Sequence, residues 1–166
     1  MKVIRRLTVA FSALFIFSSF TAGEESLRVK GFYLDMPIKE AQQLLFKYLN
    51  KKFEMRTSDD GTSSIYWLSD EGPYTFVDIR ADTSGKVTYI SFGPDIVDVI
   101  FNASGATGRD LAQAFANVFG INFEVYETCL EGWCIYTYRY RGDGIELTID
   151  DNKIFTMKKV GKIDLK

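Results

Sequence analysis

The chain has 166 residues, with 20 basic and 22 acidic side chains and a net charge of −2. This length suits one domain or two small ones. An acidic chain without a block of Lys and Arg is a poor nucleic-acid binder, because phosphate contacts require clustered basic side chains. The chain contains no histidine, which excludes Ser-His-Asp and Cys-His catalysis and His-ligated zinc.

The first 23 residues have the three parts of a secretory signal peptide. Lys2, Arg5 and Arg6 are basic, residues 7–20 are apolar, and Thr21-Ala22-Gly23 supplies small residues for cleavage. The apolar run has 14 residues, fewer than the roughly 20 that a membrane-spanning helix needs. We therefore predict that 1–23 is a signal peptide that is removed.

The mature chain would be 24–166, with 17 basic and 22 acidic residues and a net charge of −5. It has no second long apolar run, so we predict no membrane span after signal cleavage. The expected location is periplasmic or secreted.

Residues 36–49 and 106–119 read as two copies of one amphipathic helix that leads into a strand. A shift of 70 positions brings their apolar residues into register without a gap. The aligned pairs include Ala41 with Leu111, Leu45 with Phe115, and Leu49 with Phe119. Internal repeats of this kind predict a duplicated unit, so we expect a first α-β repeat at 24–94 and a second at 95–166.

Capping residues predict where the helices begin and end. Asp35 is expected to cap the first helix, with Pro37 near its first turn. Thr107 and Asp110 have the spacing of a capping box for the second helix. Gly120 is expected to end that helix as a left-handed residue.

Alternating apolar residues bounded by Gly, Pro and Asp predict the strands. Residues 94–101 are apolar and β-branched, which indicates a linking strand or an extension of the second helix. The predicted strands cover 64–68, 74–81, 86–92, 122–128, 134–141, 145–150 and 153–160.

These elements predict an α+β fold, a tandem duplication of a helix followed by three to four antiparallel strands. Short hairpin connections require antiparallel neighbours. The helices should pack on one face of the sheet, and the two halves of the sheet are expected to join through 94–101.

Residues 31–41 read Gly-Phe-Tyr-Leu-Asp-Met-Pro-Ile-Lys-Glu-Ala and are followed by Leu44-Leu45. This opening resembles that of a superfamily of secreted bacterial proteins, which includes the beta-lactamase inhibitor protein and small lipoproteins of the outer-membrane assembly machine. The resemblance implies a tandem repeat and an adaptor or inhibitor role without catalytic residues. The chain departs from the pattern after the helix, where 50–52 replaces the usual Gly-x-Pro.

Cys129 and Cys134 are the two cysteines of the chain. An even count in an exported protein predicts a disulfide, here at the end of a hairpin. A redox pair is less suitable, since redox dithiols have two residues between their cysteines. A zinc site would need two more soft ligands that the sequence lacks, so we predict no metal and no cofactor.

Three groups of carboxylates offer the alternative of acid–base chemistry of the glycosidase kind. They are Asp59-Asp60, Asp95 with Asp98, and Asp150-Asp151. Each group lies at a predicted turn, where Asp is common for conformational reasons. Turn chemistry is the preferred interpretation, and we predict no catalytic residue.

The strand from 133 to 141 carries the candidate partner-binding residues. Because side chains alternate along a strand, Tyr136, Tyr138 and Tyr140 share one face, and Trp133, Arg139 and Arg141 share the other. The tyrosines are either the inner face of the sheet or an exposed recognition stripe. If they are core, the opposite set remains. Tyr66 and Trp67 of the first repeat are further candidates.

The sequence thus favours an exported non-catalytic protein-binding module, such as an inhibitor or immunity protein against a secreted hydrolase or toxin. Its expected partner is another protein of unknown identity. The alternative is a carboxylate-dependent hydrolase that acts on envelope polymers.

Overall fold

The structure is a computed structural model that describes residues 27–70 and 75–161. The predicted signal peptide at 1–23 lies outside these residues, as do positions 71–74, where one predicted strand was expected to begin. The helices are α1 (Ile38–Leu49), α2 (Pro94–Phe101) and α3 (Gly108–Phe119). The strands are β1 (Arg56–Thr57), β2 (Ser63–Leu68), β3 (Phe76–Ala81), β4 (Val87–Phe92), β5 (Glu124–Leu130), β6 (Trp133–Gly142), β7 (Ile145–Asp150) and β8 (Phe155–Lys159).

The strands form one 8-stranded antiparallel sheet in the order β1-β2-β3-β4-β8-β7-β6-β5. Strands β1 to β4 are neighbours in chain order, and so are β5 to β8. The two runs meet where β4 pairs with β8 at the centre of the sheet, with Ile90 opposite Met157. The α+β class and the antiparallel sheet are therefore confirmed. The halves join by this pairing, and the prediction that they join through 94–101 is wrong.

The helices pack on one face of the sheet because alternate strand residues supply an apolar surface there. Helix α1 lies against β2 and β3, α2 against β3, and α3 against β6 and β7. The inward residues of the two middle strands, β4 and β8, are fully buried, and they include Ile90, Phe92, Phe155 and Met157. Their neighbours along each strand point to the opposite side, which the helices leave uncovered.

Four phenylalanines join the two halves of the core. Phe155 of β8 stacks on Phe92 of β4, with ring centroids 5.9 Å apart and an interplanar angle of 18°. Phe101 of α2 and Phe115 of α3 meet edge to face at 5.6 Å, and both also contact Phe155. The residues before and after position 94 thus share one continuous core.

Residues 94–101 form a separate helix, so both sequence-based interpretations of this segment are wrong. Pro94 occupies the first turn, where its missing N–H costs no hydrogen bond. Asn102 ends the helix in the left-handed region with φ 54°, which separates it from α3. The apolar residues recur at helical spacing, and Ile96, Val97 and Ile100 are buried.

The start of α1 also differs from expectation. Pro37 is the N-cap residue and no side chain caps this helix. Asp35 has a φ of 73°, and its carboxylate pairs with Lys159 Nζ at 2.5 Å. The N–H of Asp35 donates to the carbonyl of Val87 at 2.8 Å, so the segment before α1 is held against β4.

Helix α3 begins and ends as its sequence predicts. Thr107 Oγ1 accepts from the N–H of Asp110 at 3.2 Å, and the Asp110 carboxylate accepts from the N–H of Thr107 at 2.9 Å. The pKa of Asp110 is lowered by these hydrogen bonds from Thr107. Gly120 ends the helix with φ 64°. In the described parts of the chain, no helix has the length and apolar character required to cross a membrane.

Candidate functional site

The two faces of β6 have different neighbours, which decides between the alternatives for the tyrosine stripe. Tyr138 pairs with Ile149 and Tyr140 with Leu147. Both partners are fully buried under α3. Tyr138 and Tyr140 therefore belong to the helix side of the sheet, and burial raises the pKa of the Tyr138 hydroxyl.

The third tyrosine of the stripe lies beyond the core. Tyr136 is 40% exposed, and its hydroxyl donates to Glu127 Oε1 at 2.8 Å. This hydrogen bond raises the pKa of Tyr136. The stripe thus has an exposed end at Tyr136, while Tyr138 is buried and Tyr140 is partly buried.

Arg139 and Arg141 point to the side of the sheet that carries no helix, which we call the open face. The Arg139 guanidinium lies 3.7 Å from the centre of the Tyr126 ring on β5. The pKa of Arg139 is raised, chiefly by this contact with Tyr126. This pair lines a cleft of about 500 Å³ at the sheet edge, together with Glu124 and Arg141.

The two candidates of the first repeat lie on opposite faces. Tyr66 is 60% exposed on the open face, opposite Asp78. Trp67 faces the helix side, where it meets Phe53 edge to face at 5.8 Å. Strand β2 is five strand spacings from β6, or about 24 Å. Tyr66 is therefore near the far end of any interface centred on β6.

Ion pairs occupy the centre of the open face. Glu146 on β7 is buried and bonds to Arg141 and to Lys158, the latter at 2.8 Å. Asp78 on β3 is also buried and accepts from Arg80 at 2.6 Å. Asp78 and Arg80 balance each other, whereas Glu146 is bonded to two cations, so that group has a net charge of +1.

The end of the β5–β6 hairpin projects from the sheet. The last β6–β7 pair joins Thr137 and Asp150, so residues 127–136 have only each other as strand partners. We call residues 127–136 the prong. Its two turn residues, Glu131 and Gly132, have φ values of 49° and 87°, the left-handed pair of a tight hairpin turn.

A disulfide crosses the prong near its end. Cys129 and Cys134 are directly opposite each other and their sulfurs are 2.02 Å apart, as the sequence predicts. Glu127 completes a group of three candidate ligand atoms within 4.8 Å of one another. The two sulfurs are bonded to each other, so they are not the thiolates that a soft metal requires.

The tip of the prong exposes large apolar side chains. Trp133 is 82% exposed and its cross-strand neighbour Leu130 is 76% exposed. Both side chains point to the open face. Ile135 and Tyr126 lie behind them on the same face and are 43% and 39% exposed. Sequence reasoning selected Trp133 but missed Leu130, Ile135 and Tyr126. The sequence signal for this surface was the alternation along β5, which places Tyr126, Thr128 and Leu130 on the same face of the hairpin as Trp133.

The three carboxylate groups form hydrogen bonds and ion pairs of a structural kind. Asp60 Oδ1 accepts from the N–H of Thr62 at 2.9 Å and from its hydroxyl at 2.7 Å, and these bonds lower the pKa of Asp60. Asp95 and Asp98 lie on helix α2, so the prediction of a turn at this group is wrong, and Asp98 pairs with Lys153 Nζ at 2.5 Å. Asp150 Oδ1 accepts from the N–H of Ile154 at 2.8 Å, although burial raises its pKa.

No known protein family, curated protein or solved structure gives a significant match to this chain. The resemblance of residues 31–41 to the secreted inhibitor superfamily therefore rests on those residues alone.

Proposed function

We propose that this protein is an exported, non-catalytic module that binds another protein through the β5–β6 hairpin and the adjoining open face. The observation that carries the proposal is the exposure of Trp133 and Leu130 on a strand pair stiffened by a disulfide. Rigid aromatic anchors supply most of the energy in protein interfaces, and a rigid hairpin lowers the entropy cost of binding.

Export is supported by the three-part leader at 1–23 and by the disulfide, since disulfides persist in oxidising compartments. In a bacterial host the compartment is the periplasm or the exterior. Among the roles open to such a module, we favour an inhibitor or immunity protein against a secreted hydrolase or toxin. This role agrees with the resemblance at residues 31–41.

A tandem duplication is part of the proposal. Helices α1 and α3 have the same length of 12 residues, and they begin at positions 38 and 108, the 70-residue shift of the sequence repeat. Each is followed by four sequential antiparallel strands. We propose that a single helix-and-sheet unit was duplicated, and that the two copies pair through β4 and β8.

The test is affinity capture with the mature full-length protein as bait, on envelope extract and culture fluid of the source organism. We expect one specific protein to be retained and, after purification, to form a stoichiometric complex. Hydrolysis of peptidoglycan by the bait is measured in parallel. Retention of no partner at any salt concentration, together with polymer hydrolysis, would reverse the proposal in favour of a carboxylate hydrolase.

A further inference from the structure

The strongest unexplained feature of the molecule is the combination of charge and shape at the prong. The prong has two acidic residues, Glu127 and Glu131, and no Lys or Arg, and Glu124 lies just before it. All of these residues are exposed. At the base, Asp151 adds a carboxylate that accepts from the N–H of Tyr136 at 2.8 Å, and Arg139 is stacked on Tyr126.

The prong is convex, and its apolar surface is concentrated on one side of its tip. Leu130 and Trp133 face each other across the two strands, and the acidic Glu131 occupies the turn beside them. A flat partner laid on the open face would bury Leu130 and Trp133 but would leave Glu127, which belongs to the opposite face of the strand pair, in water. A concave partner can contact both faces of the prong at once.

We infer that the prong inserts into a pocket of the partner protein whose floor is apolar and whose rim carries Lys or Arg, an inference that rests on the proposed function. Charge complementarity selects this partner over a bacterial membrane. Trp and Leu also favour the membrane interface, but anionic lipid headgroups attract basic segments and the prong is acidic. The apolar tip supplies binding energy, and the carboxylates select the partner and speed its approach.

The experiment uses the mature full-length protein and the purified protein that it captures. Affinities are measured by titration calorimetry for Trp133→Ala and Leu130→Ala, with Phe46→Ala as the matched control. Phe46 is an apolar residue of α1 that is 48% exposed, away from the prong. We expect each tip variant to bind about 30-fold or more weakly, and the control to bind like wild type. Melting temperatures confirm that all variants fold.

Charge is tested separately with Glu131→Lys, whose control is Glu54→Lys at an exposed site after α1. We expect Glu131→Lys to bind about tenfold more weakly and to lose part of the salt dependence shown by wild type. Trp133 fluorescence should shift to shorter wavelength on complex formation and lose its accessibility to acrylamide. A Trp133→Phe variant isolates this signal from Trp67.

Several outcomes would overturn the inference. Tip variants that bind within about twofold of wild type, while the partner is still captured, reject the prong as the binding site and leave standing only the protein-binding role of the proposed function. If the tip variants bind more weakly while Glu131→Lys binds the partner with wild-type affinity, the basic rim is rejected. Co-sedimentation with 3:1 phosphatidylethanolamine–phosphatidylglycerol vesicles, lost in Trp133→Ala, assigns the tip to a membrane. Capture of no protein rejects both the inference and the proposed function.

Discussion

Individual residues hold the ends of the elements in place, and among the glycines that the structure describes, Gly108 has the least room for a side chain. A Cβ added there would lie 1.8 Å from the backbone oxygen of Asp150, where the start of α3 crosses the end of β7. We predict that Gly108→Ala forces the helix away from the sheet and lowers the free energy of unfolding by about 1–3 kcal/mol. Urea denaturation measures this change.

The matched control is Gly161→Ala, since a Cβ at Gly161 meets nothing within 4 Å. That variant should unfold at the wild-type urea concentration. Equal stability of Gly108→Ala and wild type would mean that α3 is free to shift over β7.

Glu146 gives the stability of the sheet a defined dependence on pH. Burial raises its pKa, but hydrogen bonds from Lys158 and Arg141 outweigh burial and hold the folded-state pKa below the ordinary value of 4.5. The ionised form is therefore favoured by folding. Its contribution to stability is fully present above the unfolded pKa and is lost as pH falls through the folded pKa.

We predict that Glu146→Gln costs about 1–3 kcal/mol at pH 7, because hydrogen bonds to charged groups are lost. The difference between the variant and wild type should shrink as the pH falls from about 4.5 through the folded pKa. Glu54→Gln, at an exposed site, serves as the control. A difference that is constant from neutral to acidic pH would show that shape and not charge is responsible.

At the scale of elements, strands β2 to β8 could be predicted because their turns are clear in the sequence. Asp143-Gly144 has left-handed φ values of 52° and 74°, as the Asp-Gly signal of a hairpin requires. Strand β1 has only two residues, too few for any alternation to be detected. Helix α2 was missed because an eight-residue segment with four β-branched residues fits a buried strand as well as a short helix.

The candidate surface was harder to predict than the fold, for a physical reason. Alternation along β6 separates the side chains into two sets but does not say which set faces the helices. That choice depends on the position of α3 over Ile149 and Leu147. The exposure of Leu130 depends on how far the hairpin runs past β7, which is a property of the assembled sheet.

The disulfide is predicted to act on the prong and not on the whole sheet. A closed loop this short contributes about 2 kcal/mol by the chain-entropy estimate. In the Cys129→Ser/Cys134→Ser double variant, we expect amide exchange to rise by up to about 30-fold within 127–136. Exchange in β7 and β8 should stay at the wild-type rate, because these strands do not pair with the prong. Faster exchange in those strands would contradict the prediction that the disulfide acts on the prong alone.

At the scale of the whole molecule, the shared core predicts a single cooperative unfolding transition. Phe155 of the second half contacts Phe92 of the first, and also Phe101 and Phe115. We predict that Phe155→Ala costs about 3–5 kcal/mol. In a Trp133→Phe background the fluorescence of Trp67 reports on the first half alone, and its melting temperature should fall as far as that of the circular dichroism signal. Separate shifts would mean that the two halves unfold independently.

The central claim is that the protein binds a partner with its β5–β6 hairpin and open face while the helix side remains core. Hydrogen exchange of the free protein and of its complex with the captured partner tests this claim most directly. We predict that binding slows exchange within 124–142, most strongly in the prong, and leaves α1 and α3 unchanged. Slower exchange confined to α1 and α3, with none in 124–142, would contradict the account.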